Sequence, residues 1–130
     1  RTIMPAAMYL HKERVLAVVQ RRSSGHVAIL SNQGMKFPIA EVVRQVRIAE
    51  LQRRSLEVRP FDGRQIRIEG VLPVVPEWFY FAPGQMMLNG AWSHPDVQPT
   101  QLPLGRIVDA VRRGLREQLE YSEPRPVTRR

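Results

Sequence analysis

Four aromatic residues in a row, Trp78-Phe79-Tyr80-Phe81, have to be shared between two faces of one structural element. In a strand, successive side chains point to opposite sides of the sheet, so Trp78 and Tyr80 take one face and Phe79 and Phe81 the other. One pair can fill a core; the second must be covered by a helix or by a partner. The block ends a longer stretch, Arg59 to Phe81. There the turn signal Phe61-Asp62-Gly63 precedes an alternating run of Ile66, Ile68 and Val71 with Arg64, Arg67 and Glu69. Period-2 alternation predicts a strand over 64–72, and Gly70 within it predicts a bulge or a close backbone approach. Pro73 and Pro76 then bend the chain.

Upstream, residues 1–13 read as an irregular arm. Arg14–Gln20 is a β-branched apolar run of strand length, and His26–Ser31 is a second. Arg21-Arg22-Ser23-Ser24-Gly25 joins them as a hairpin turn with a basic tip. Asn32-Gln33-Gly34 is another turn, and Met35–Ile39 a short third strand ended by Pro38. From Ala40 to Arg54 the period changes to that of a helix. Val42, Val43, Val46 and Leu51 mark its apolar face, and Glu41, Arg44, Arg47, Glu50 and Arg54 its polar one. Ser55–Pro60 reads as a fourth strand with Leu56 and Val58 inward.

Downstream, Ala82–Pro103 reads as a long loop, broken by Gly84, Asn89-Gly90, Pro95, Pro99 and Pro103. Leu104–Tyr121 is an amphipathic helix, with Val108, Val111, Leu115 and Leu119 on one face. Asp109–Arg113, Arg113–Glu117 and Arg116–Glu120 are i,i+4 pairs on the other. Gly114 costs that helix about 1 kcal/mol against alanine, which makes sense where it crosses another element closely. Residues 122–130 read as a disordered tail, and the sequence holds no internal repeat.

This order predicts an α+β, mainly β fold for a single domain over 14–121, with one internal helix and a C-terminal amphipathic helix. A small five- or six-stranded barrel, OB-like (oligonucleotide/oligosaccharide-binding) or SH3-like, fits it. An open α+β sheet accommodates the same order.

Charge divides the chain. The net charge is +8, and 18 of the 20 basic residues are arginine, whose planar fork suits phosphate. Residues 73–103 carry no Lys or Arg, two acids, six of the 11 prolines and both tryptophans. The chain has no cysteine, which excludes disulfides and thiolate chemistry and fits a reducing compartment, the cytoplasm. No apolar run approaches the roughly 20 residues of a transmembrane helix.

No catalytic set stands out. His11, His26 and His94 lie far apart without ligand spacing, and neither a phosphate loop nor a nucleophile elbow is present. The expectation is a binding module that is not an enzyme and needs no metal or cofactor. Nucleic acid, DNA or RNA, is the first ligand expected, through Arg21, Arg22, Lys36, Arg64 and Arg67. The alternative is a structural or adaptor subunit that meets a protein partner or its own copy through Trp78, Tyr80, Met86, Met87 and Trp92. His94-Pro95-Asp96 matches the tripeptide of chaperone J-domains. There it sits between two helices; here it falls in a proline-rich loop and reads as a turn.

Overall fold

Three strands and a helix follow one another, and then do so again. The strands are β1 (Ala6–His11), β2 (Arg14–Arg21), β3 (Val27–Ser31), β4 (Gly70–Leu72), β5 (Val75–Phe81) and β6 (Met86–Asn89). Helix α1 (Ile39–Arg53) separates the two sets, and α2 (Leu104–Ser122) follows the second. The computed structural model describes residues 6–11, 14–32, 39–61, 63–91 and 93–122. All six strands form one antiparallel sheet in the order β1-β2-β3-β6-β5-β4.

The fold is α+β, but the sheet is open. β1 and β4 are its two edges, so the expected barrel does not close. A barrel fills its lumen with its own inward side chains. Here α1 and α2 pack on one face of the sheet instead. Val42, Val46, Ile107 and Val111 from the helices meet Val19, Ile29, Met87 and Trp78 from the strands, all fully buried.

The β2–β3 hairpin turns through Gly25, whose φ of +94° suits glycine and whose N–H donates to Arg22 O at 2.9 Å. α1 begins one residue earlier than expected and carries Glu41 in its first turn and Arg53 in its last, matching its macrodipole. Its end is a left-handed residue, Ser55 (φ +59°), with Leu56 N–H donating back to Leu51 O at 2.9 Å, a Schellman-type stop. α2 runs as the apolar spacing predicts. Where it crosses α1, a Cβ on Gly114 would stand 2.8 Å from both the Cα and the N of Val42. The Asp109–Arg113 pair forms at 3.1 Å.

Several expectations give way. Residues 6–11 of the supposed arm form the edge strand β1, paired with β2. The third strand over 35–39 lies outside the described residues except for Ile39, which opens α1. Ser55–Pro60 is not a strand; it runs into a 3₁₀ turn at Arg59–Phe61, and Leu56 is 42% exposed. The strand expected over 64–72 is a 3₁₀ turn at Gln65–Arg67 followed by the short β4. That turn buries Ile66 completely and leaves Ile68 exposed. The long loop contains β6 and a 3₁₀ turn at Ala82–Gly84.

Two residues assigned to the polar face of α1 are fully buried. Arg47 donates to Ile66 O (2.9 Å), Ile68 O (2.9 Å) and Gly70 O (2.8 Å), so its guanidinium takes up the carbonyls of the 66–70 segment. Burial pushes its pKa down to about 10, with Tyr80 acting in the opposite direction, so it stays charged at neutral pH. Glu50 accepts from Trp78 Nε1–H (2.9 Å), Thr100 Oγ1–H (2.7 Å) and Arg53 Nε–H (2.8 Å). A buried carboxylate with three donors is satisfied, and it ties α1 to β5 and to the segment before α2.

Candidate functional site

The four described cationic candidates, Arg21, Arg22, Arg64 and Arg67, do not converge. Arg21 lies at the end of β2 and is spent on structure: its Nη1 donates to Gly25 O (2.9 Å) and its Nη2 to Leu102 O (3.2 Å). Arg67 grips Glu41 through Nε (2.9 Å) and Nη2 (3.3 Å), and its Nη1 donates to Gly63 O. Lys36 lies outside the described residues. Arg22, at the hairpin tip, and Arg64, before the edge strand β4, are exposed. They belong to different ends of the strand order, so they form no common stripe.

The aromatic stretch divides as alternation requires. Trp78, Tyr80 and Met87 take the helix-covered face, the first and last with no exposure at all. Sealed inside, Trp78 and Met87 reach no partner in this fold. Tyr80 is half-buried against the core, and burial raises its pKa, with Glu69 adding to the rise and Arg47 opposing it. Trp92 lies outside the described residues. Met86 points to the other face, beside Phe79 and Phe81, whose rings stack at 6.4 Å with planes 19° apart.

Neither described helix packs on that second face. The strand register lines up Val18, Leu30, Met86 and Phe81 across four strands. Gln20, Ala28, Leu88, Phe79 and Val71 form the next row. None of these nine side chains is charged. Most are half-buried by their neighbours, while Phe81 is 38% exposed.

Beyond the second row, toward the hairpin tip, the described residues of the 90–98 segment fold back over the sheet. His26 holds it there. Val97 O can only accept, so His26 Nε2 carries the proton and donates to it at 2.8 Å. His26 Nδ1 then accepts from Ser24 Oγ–H at 2.8 Å. The ring of His94 lies on Phe79 at 5.6 Å, and its Nδ1 is 2.8 Å from Ser93 Oγ. Asn89 continues the anchoring: its Nδ2 donates to Glu77 O and Gln98 O, and its Oδ1 accepts from Thr100 N–H at 2.8 Å.

Under this segment lies a cavity of about 330 Å³, lined by Arg22, Ser24, His26, Leu88, His94 and Val97 among others. Sequence spacing could not reveal it, because His26 and its acceptor Val97 are 71 residues apart. Ser24 and His26 do not resemble an activated nucleophile. Ser24 Oγ also accepts from the backbone N–H of His26 at 3.3 Å, and His26 is oriented by a carbonyl, which is the chemistry of an anchored turn. His94-Pro95-Asp96 forms a turn after an Ala91–His94 bridge, and no helix adjoins it. Among the described residues, no three His, Cys, Asp or Glu side chains are grouped to hold a metal ion. No described helix is long and apolar enough to cross a membrane. Comparison with known proteins returns no matching family model, no matching curated protein and no matching solved structure.

Proposed function

We propose that the chain is a non-catalytic binding module that assembles with a second copy of itself through the open face of its sheet. The observation that carries this reading is the in-register apolar row Val18–Leu30–Met86–Phe81, over which neither described helix packs. A sheet face with an apolar row gains most by packing on another sheet, about 10 Å away. Electrostatics permits a like partner on this face. Each copy carries a net +8, so two copies repel unless they meet on neutral surface, and these two rows are neutral. Met86 adds side-chain adaptability at the contact.

Nucleic-acid binding, to DNA or RNA, is the second reading. It is favoured by the net charge and by exposed Arg22, Arg59, Arg64, Arg112 and Arg116. Against it, two of the five expected phosphate contacts are engaged within the fold.

Light scattering after size exclusion, at low and high salt, with the 260/280 nm absorbance ratio, separates the two. Self-assembly through the apolar row gives a defined oligomer at both salts, reduced to monomer by Phe81→Asp. A monomer carrying absorbance at 260 nm that salt strips away overturns the first reading in favour of the second.

A further inference from the structure

We infer that the cavity beneath the 90–98 segment binds a small ligand with a flat apolar body ending in an anionic group. Size comes first. A cavity of about 150 Å³ accepts benzene, and ordinary ligand sites begin near 300 Å³. At about 330 Å³, this one has room for a ring and a compact head group.

The lining sets the chemistry. Leu88, Ala91, Pro95 and Val97 supply apolar wall. Among the described residues of the lining, Arg22 is the one permanent charge, and none is Asp or Glu. The Arg22 side chain is exposed and makes no hydrogen bond or ion pair with the other described residues, so its fork is available. Two of the three histidines, His26 and His94, line the cavity. His26 is fully engaged, by Val97 O and Ser24 Oγ, and acts as frame. His94 has its Nδ1 tied to Ser93, which leaves Nε2 to meet a ligand.

The site is also built in advance. A Cβ on Gly90, itself at φ +84°, would stand 3.3 Å from the His26 ring, so hairpin and loop are already in close contact. The depression on the far side of the same loop, about 500 Å³, makes the contrast. Its lining includes the carboxylates of Glu77 and Asp96, which disfavour an anion.

The test titrates the full chain with phenyl phosphate, followed by calorimetry and by amide shifts. Benzoate is the singly charged arm, inorganic phosphate the head group alone, and benzyl alcohol the body alone. The expected result is that phenyl phosphate binds tightest, benzoate next, and that the shifts gather at His26, Gly90 and His94. Arg22→Gln, at an exposed site, should weaken phenyl phosphate about tenfold and leave benzyl alcohol unchanged. Inorganic phosphate binding as tightly as phenyl phosphate would overturn the inference, because the apolar wall would then be idle. So would an Arg22→Gln protein that binds phenyl phosphate like the parent, or no binding at all. Met86 and Leu88 belong to both surfaces, but Phe81 is not on the lining and Arg22 is not in the apolar row, so the two variants tell self-assembly and ligand binding apart.

Discussion

Replacing Gly114 with alanine sets two effects of opposite sign against each other. Taken alone, the helix gains: alanine is better than glycine in a helix interior by about 1 kcal/mol. The crossing loses. The new Cβ would stand 2.8 Å from Val42 Cα, 2.8 Å from Val42 N and 3.0 Å from Glu41 C. Carbon pairs rest at about 3.5–4.0 Å, so α1 and α2 have to part by roughly 0.7 Å or more. All three obstacles are backbone atoms, so no rotamer change relieves them. Parting the helices also loosens Val43, Val46, Ile107 and Val111, which are fully buried around the crossing. Overpacking of this kind costs about 1–3 kcal/mol, and a backbone obstacle belongs to the upper half of that range. The net expectation is a loss of about 1–2 kcal/mol. In urea, with a slope of about 1–3 kcal/mol/M for a domain of this size, the midpoint falls by roughly 0.5–1 M. Gly105→Ala on the same helix is the control. A Cβ there meets nothing within 4 Å, so that substitution should be neutral or stabilise by up to about 1 kcal/mol. If Gly114→Ala raised the midpoint as Gly105→Ala does, the close crossing would be refuted.

Two further expectations concern the buried polar groups. Arg47→Met removes the donors to Ile66, Ile68 and Gly70 carbonyls, of which the Ile66 bond is buried and the other two are partly so. One carbonyl stranded outright and two rehydrated in part should cost about 2–4 kcal/mol, offset slightly by relief of the buried cation. A urea midpoint unchanged from the parent would contradict this role. Tyr80 has a raised pKa from burial, so the unfolded chain loses the phenol proton first. Its contribution to stability is complete below pH about 10 and declines as pH rises through the folded value. Stability measured from pH 9 to 12 should therefore fall less steeply in Tyr80→Phe than in the parent; parallel curves would count against the shift.

Much of the scaffold was legible because it obeys short-range periodicity. α1, α2, β2, β3 and the alternation in β5 all follow from spacing of apolar residues, and Gly114 announced its crossing. What failed depends on partners far along the chain. Ile66 and Ile68 alternate with Arg64 and Arg67 as a strand would, yet the carbonyls of 66, 68 and 70 go to Arg47 instead of a neighbouring strand. β1 and β6 are strands because β2, β3 and β5 offer them edges, which no local pattern records. Charge argues that Arg47 and Glu50 face outward, although Val43 to Arg47 and Val46 to Glu50 are i,i+4 steps along the buried side. Charge outweighed spacing, and spacing was right. The cavity was hidden because its wall joins a hairpin turn to a loop 71 residues away.

The strand order has a consequence for how this molecule can change. Read inward from its edges, the sheet runs β1, β2, β3 from one side and β4, β5, β6 from the other, with α1 following the first set and α2 the second. In topology the chain is two three-stranded, one-helix halves written into one polypeptide. The Gly114 crossing and the ladder from Ala28–Leu88 to Leu30–Met86 are the joints between those halves. Such symmetry binds both halves where they touch and releases them where they differ. They differ most between the last strand and the helix. Seven residues separate β3 from α1, whereas residues 90–103 separate β6 from α2. The added length of the second half is the part that folds over the sheet and roofs the cavity, so the molecule's individuality resides where its symmetry breaks.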